Sequence, residues 1–204
     1  MRKERKLLVV FLVMLIISIC LCSCGNNIAD IKSTKVTLYG KTYSFPVKIS
    51  ELFDNGWSLP DNMNYTREFE PQEFTDVSGV KLQHNDGGKI GVTGVCNIDS
   101  TPKKLSECLL VSFTIEEDSI NEFLGEKAVV LPCNITVKSS YEDIVSAYGE
   151  PNGTNKLFES ASIISGMENV ADSKTILYNN QIASEATYSF TFNNDKICKI
   201  YASF

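Results

Sequence analysis

Short runs of alternating apolar and polar residues, broken by turn-forming clusters, organise most of this 204-residue chain. Tyr188, Phe190 and Phe192 are spaced by Ser189 and Thr191, so three aromatics share one face of a strand. Segments 174–179, 185–193 and 196–203 read as a meander, with Asn193-Asn194-Asp195 as its last turn. Further back, Gly79 to His84 and Lys89 to Ile98 flank Asp86-Gly87-Gly88 and predict a hairpin. Alternation there puts Ile90, Val92, Gly94, Cys96 and Ile98 on one side. A return strand over 107–115 follows the turn at Thr101-Pro102. One segment has helical rather than strand periodicity. Ser140 is an N-cap with Asp143 three residues on, and Tyr141, Ile144, Val145 and Tyr148 form an apolar stripe. Gly149 and Pro151 end that helix. A shorter helix over about 50–55 buries Leu52 and Phe53 and ends at Gly56, with Trp57 sealing the core edge beside it.

The two halves match in order. Val47-Lys48-x-Ser50 and Val137-Lys138-x-Ser140 each precede a helix closed by glycine, Gly56 in one and Gly149 in the other. Cys108 to Phe113 parallels Cys198 to Phe204. These matches predict a tandem duplication. The expected class is α+β, as two tandem units of a short helix packed on a three- to four-stranded antiparallel sheet. The first unit spans 36–115 and the second 129–204, and 116–128 link them with a helical turn carrying Ile120, Phe123 and Leu124.

Helix, Gly-x-Pro and meander, repeated twice, resembles the β-lactamase-inhibitory-protein fold. Residues Ser139 to Pro151 carry the resemblance, together with the order of elements. Small outer-membrane lipoproteins of the β-barrel assembly machinery are similar to a single such unit. The resemblance implies a protein-interaction or ligand-binding scaffold rather than an enzyme. No binding motif matches residue by residue, so none is carried over.

Ahead of this pattern stands a different one. Met1-Arg2-Lys3-Glu4-Arg5-Lys6 precedes a nearly continuous apolar run from Leu7 to Cys22, then Ser23-Cys24. A basic start, an apolar stretch and a small residue before cysteine resemble a bacterial lipoprotein leader. Sixteen apolar residues are short for a membrane span, which needs about 20. The expectation is a signal peptide over 1–23, cleavage before Cys24 and lipidation of that cysteine. Residues 24–35 form the lipidated tether. The partner at this end is the membrane, reached through an N-terminal diacylglyceryl anchor, and the protein sits on the extracytoplasmic face.

Charge narrows the other partners. The chain carries a net −6; removing the leader's +3 leaves −9 for 24–204. That balance gives no attraction to nucleic acid or anionic lipid. After the leader the one arginine is Arg67, too few for an anion-binding arginine cluster.

Candidate chemistry is sparse. His84 is the single histidine and reads as an exposed strand-end residue. Ser100-Thr101-Pro102-Lys103 fits Ser-x-x-Lys, but a proline in a hairpin turn is the wrong setting for that pair. Glu116-Glu117-Asp118 reads as a solvated linker. No metal or cofactor site is expected. Cys96 and Cys108 straddle a turn and are candidate disulfide partners, while Cys133 and Cys198 are further cysteines of the folded part; structural thiols fit the spacing equally. Tyr39, Tyr43, Phe45, Trp57 and Tyr65 suit a core better than a binding platform. The expected function is a non-enzymatic surface lipoprotein binding a protein, peptide or envelope component. The alternative is an envelope-associated hydrolase or thiol enzyme that pairs His84 with a cysteine or serine.

Overall fold

The computed structural model describes residues 33–61, 63, 65–122, 128–151, 153–155, 173–178, 186–193 and 195–204. Cys24, the leader and the tether as far as residue 32 lie outside the described residues, as do Phe123 and Leu124 of the linker. The described chain is mainly β with some α. The helices are short: α1 (Ile49–Phe53), α2 (Glu117–Ile120) and α3 (Tyr141–Tyr148). The expected antiparallel sheet and short helices are present, with strand outweighing helix.

The main sheet is antiparallel. Strands β4 (Trp57–Ser58), β6 (Phe74–His84), β7 (Lys89–Cys96) and β9 (Leu109–Glu116) lie side by side in chain order. So do β12 (Gly153–Asn155), β13 (Ser173–Tyr178), β14 (Thr187–Asn193) and β15 (Lys196–Ser203). The two sets meet where β9 pairs with β15, from Glu116 opposite Lys199 to Ser112 opposite Ser203. β3 (Val47–Lys48) pairs with the start of β9, opposite Leu109 and Leu110. A second sheet runs in the order β11 (Ile135–Thr136), β10 (Val129–Leu131), β1 (Lys35–Leu38), β2 (Lys41–Ser44). A two-stranded ribbon joins β5 (Glu68–Phe69) to β8 (Lys103–Lys104).

One core serves all of this. Tyr188, Phe190 and Phe192 from β14, Phe113 and Ile115 from β9, and Ile90, Val92 and Val95 from β7 are buried on one face of the main sheet. Val36, Leu38, Tyr43, Val129, Leu131 and Ile135 of the second sheet belong to the same buried cluster, with Ile49 and Leu52 of α1. Burial of this apolar surface is the main stabilising term.

Helix α3 follows the sequence pattern closely. Ser140 Oγ accepts from the Asp143 N–H, and the Asp143 carboxylate accepts from the Ser140 N–H. Ile144 and Tyr148 are buried. The Tyr148 ring lies 6.1 Å from Tyr188 and 6.0 Å from Phe190, and its hydroxyl donates to the Pro132 carbonyl at 2.9 Å. Gly149 closes the helix with φ 80° and ψ −169°.

The alternation read from β7 breaks midway. Register shifts between Val92 and Gly94 and between Gly94 and Val95 turn Val95 into the core and leave Gly94 on the opposite face. The extra residue on β7, Thr93, is why Ile90, Val92, Gly94, Cys96 and Ile98 do not share a side. Ile98 is in fact exposed.

Ile144→Ala should cost about 2–5 kcal/mol, because the side chain is fully buried. Gly149→Val should also destabilise, since a β-branched residue resists positive φ. Thermal melts of both variants check this, and a parent-like melt for Ile144→Ala would contradict the packing.

Candidate functional site

Only one face of the main sheet is covered by the helices and the second sheet. Among the described residues no element packs on the opposite face, where Ser112 and Thr114 are nonetheless buried, and its side chains follow from the strand registers. One row across the sheet reads Asp76, Gly94, Ser112, Ser203, Thr187. The next reads Lys81, Gly91, Thr114, Tyr201, Ser189. A third continues as Glu116, Lys199, Thr191.

A cleft of about 440 Å³ sits on this face, lined by Phe74, Asp76, Thr93, Gly94, Ser112, Thr114, Lys199 and Tyr201. Its floor is made by two glycines. A Cβ at Gly91 would stand 2.6 Å from Thr114 Oγ1, and one at Gly94 would stand 2.5 Å from Ser112 Oγ. Glycine therefore lets the hydroxyls of β9 lie across the neighbouring strand, and Thr93 Oγ1 donates to Ser112 Oγ at 2.9 Å. Glycine in a strand interior often marks close approach of this kind. Phe74 at one wall is 70% exposed, a large apolar side chain held in water.

The cations of the face are already engaged. Lys81 Nζ lies 3.7 Å from Glu116 and 3.5 Å from Asp118, and Lys199 Nζ lies 3.7 Å from Glu116. The acidic run 116–118 is the end of β9 and the start of α2; all three residues are exposed, and Glu116 and Asp118 take part in these ion pairs. These pairs are exposed and contribute little stability, but they lower the charge offered to a ligand.

His84 is buried, which corrects its reading as an exposed residue. Its ring stacks on Tyr39 at 4.0 Å and meets Trp57 edge-on at 5.1 Å. Nδ1 accepts from the Asp86 N–H at 3.1 Å, and Nε2 donates to the Asn55 carbonyl at 3.2 Å. Both ring nitrogens therefore hold backbone. The histidine ties the turn after α1 to the β6–β7 hairpin, and Tyr39 Oη reinforces that hairpin by donating to the Gly87 carbonyl at 2.6 Å.

The remaining candidates are placed as follows. Lys103 of the Ser-x-x-Lys match pairs with Glu107 and Asp99. The turn before it is braced by buried Asn97, whose Nδ2 donates to the carbonyls of Phe69, Glu70 and Thr101. Tyr43, Phe45 and Trp57 are core residues, and Tyr39 and Tyr65 pack against the core. Cys96, Cys108, Cys133 and Cys198 are thiols rather than disulfides. Cys96 lies opposite Leu109, the neighbour of Cys108, and Cys108 Sγ donates to the Lys104 carbonyl at 3.4 Å. Burial pushes the Cys108 thiol up to about 11 and the Tyr43 phenol up to about 12, with nearby carboxylates adding to both. Burial also raises Tyr188 and Cys198 above their ordinary values. Among the described residues no three or more His, Cys, Asp or Glu side chains gather as a metal would need. No helix of the described residues is long and apolar enough to cross a membrane.

No protein-family model, curated protein or solved structure matches this chain.

His84→Ala should lower stability by about 1–3 kcal/mol, because it removes two part-buried hydrogen bonds to backbone and a stacked, buried ring. Chemical denaturation of the variant checks it. Stability should also fall in alkali. The unfolded chain loses its thiol and phenol protons near their ordinary values of 9 and 10, while the folded chain keeps them until about 11 and 12. The contribution is complete below about pH 9 and is lost as pH rises through 11 and 12. Denaturation midpoints at pH 8 and 10.5 should differ, and Cys108→Ala with Tyr43→Phe should flatten the difference.

Proposed function

We propose that this chain is a membrane-anchored extracytoplasmic lipoprotein that binds a protein or peptide on the open face of its main sheet. The observation that carries the reading is the make-up of that face. Its two central rows are glycine, serine, threonine and tyrosine, with charge only at the β6 end. Tyrosine, serine and glycine are the residues that antibody-like binding surfaces use for adaptable polar contact and rigid anchoring area. Depletion of charge at the centre is the compositional mark of protein interfaces. Phe74 and Tyr201 supply the large side chains around which binding energy concentrates.

The fold beneath this face is read as two tandem units of a short helix and a four-stranded sheet. Two observations support that reading. The strand order is the same from either edge, in the main sheet as β4-β6-β7-β9 against β12-β13-β14-β15 and in the second sheet as β2-β1 against β11-β10. Each seam has a residue facing the one 91 positions later, Leu38 opposite Val129 and Ser112 opposite Ser203. The resemblance to β-lactamase-inhibitory proteins points to the same class, a binding scaffold.

Against an enzyme using His84 stands the engagement of both its ring nitrogens with backbone, inside an aromatic stack. The lipid anchor at Cys24 follows from the leader pattern.

Capture from the native envelope, followed by mass spectrometry, tests the binding. Phe74→Ala with Tyr201→Ala should reduce the captured protein at least about tenfold without moving the melting temperature. Ser146→Arg, on the exposed side of α3, should leave capture intact. Unchanged capture by the double variant would remove the open face from the function.

A further inference from the structure

We propose that the open face selects a polypeptide segment carrying an arginine two residues from an apolar side chain, with the guanidinium at Asp76 and the apolar group against Phe74. This rests on the binding reading above and adds what the partner must present.

The exposed large apolar side chains among the described residues, Phe74 and Ile98, stand at one end of that face. Phe74 lies opposite Cys96, and Cys96 lies opposite Leu109, so the three share a row. Cys96 and Leu109 are half-buried. Gln72 Nε2 donates to the Ile98 carbonyl at 2.6 Å, which holds the Ile98 turn beside the start of β6. A Cβ at Gly94 would stand 3.1 Å from Val111 Cγ2, so Val111 carries the apolar surface to the edge of the cleft. A contiguous exposed patch of this kind marks an interaction site.

Charge decides which partner fits it. From Glu70 to Val80 the chain carries three carboxylates, Glu70, Glu73 and Asp76, and no lysine or arginine. Asp76 is exposed, lies two residues beyond Phe74 on the same side of β6 and lines the cleft. The cations nearby are held by other carboxylates. Arg67 pairs with Glu73, Lys103 with Asp99 and Glu107, and Lys199 with Glu116. Lys48 continues the row of Phe74, Cys96 and Leu109 at its far margin, three strand spacings from Phe74, or about 14 Å. The Phe74 end is therefore anionic, and a cation is its complement.

The chain makes the same contact within itself. Arg67, paired with Glu73, has its guanidinium carbon 5.0 Å from the centre of the Phe69 ring. One arginine thus meets a carboxylate and an aromatic ring together, which the compact ammonium of lysine does less well. Asp76 and Phe74 offer a partner the same two groups. In an extended segment, side chains two residues apart share a side and lie about 6.8 Å from each other, which is also the spacing of Asp76 and Phe74 along β6. An arginine over Asp76 therefore sets the apolar side chain two positions away over Phe74 and Leu109. The glycine floor lets the backbone of the segment come close to the sheet.

Short random peptides displayed on phage, panned against the full-length chain at physiological ionic strength, test this. The selected peptides should be enriched over the input in arginine two residues from an aromatic or branched apolar residue. Replacing that arginine by citrulline, which keeps the shape and loses the charge, should weaken binding at least about tenfold. Asp76→Asn should weaken the parent peptide similarly, and the two changes together should cost little more than either alone. Phe74→Ala should also weaken binding, while Lys48→Ala should leave it unchanged. Asp76, Phe74 and Lys48 are exposed, so all three variants should melt like the parent. The citrulline peptide probes the same contact with the protein unaltered. Failure to select any peptide, selection of peptides without arginine, or a citrulline effect that is undiminished in Asp76→Asn protein would overturn the proposal. The envelope capture above reads the face itself. Capture lost with Phe74→Ala and Tyr201→Ala but unchanged with Asp76→Asn would remove the arginine recognition and leave the binding face standing, whereas capture unchanged in both would remove both.

Discussion

Pairing of β9 with β15 is the interaction on which the rest of the structure depends. It brings Ser112 opposite Ser203 and Glu116 opposite Lys199, residues more than 80 positions apart. Closing so long a loop is entropically costly. The ladder alone does not offset that cost. The aromatic residues beneath it do, with Phe45 stacked on Phe204 at 4.5 Å and tilted against Phe113 at 5.3 Å. The Phe204 N–H then donates to the Val111 carbonyl at 2.9 Å. Phe204 therefore packs against the core, and the contacts that hold it there are among the most distant in sequence. Folding of such a topology is expected to be slow relative to a helical protein of this size.

The same ladder makes the sheet broad, and breadth makes the two faces unequal. The short helices and the second sheet cover one face, where the aromatics lie. The other carries small hydroxylated side chains, of which Thr93 donates to Ser112. This division of a single sheet into a packed side and a wet side is ordinary for antiparallel structure. Here the wet side is unusual in its glycine-floored cleft and its exposed phenylalanine.

Legibility in the sequence followed locality. The stripe of α3 and the face of Tyr188, Phe190 and Phe192 are written within eight residues each, and they occur where the periodicity puts them. The β7 bulge was not legible, because alternation carries no mark for an extra residue between Val92 and Val95. Nor was the role of His84. Its partners Tyr39, Asn55 and Trp57 lie far upstream, and the aromatic stack forms only when β4 pairs with the end of β6. The second sheet depends on Leu38 meeting Val129 across 91 residues, for which no short-range signal exists. The open face was missed for a different reason. Serine and threonine at alternate positions read as generic solvent-facing residues, and only the registers show that they line up in rows across strands from both parts of the chain.

The buried thiols have a chemical consequence of their own. Nucleophilic attack and oxidation proceed through the thiolate. With its proton held to about 11, Cys108 is ionised in only about one molecule in ten thousand at neutral pH. Peroxides, alkylating agents and foreign disulfides would therefore find it nearly inert while the fold stays closed. The interval between transient openings, rather than the supply of oxidant, would set the lifetime of that sulfur.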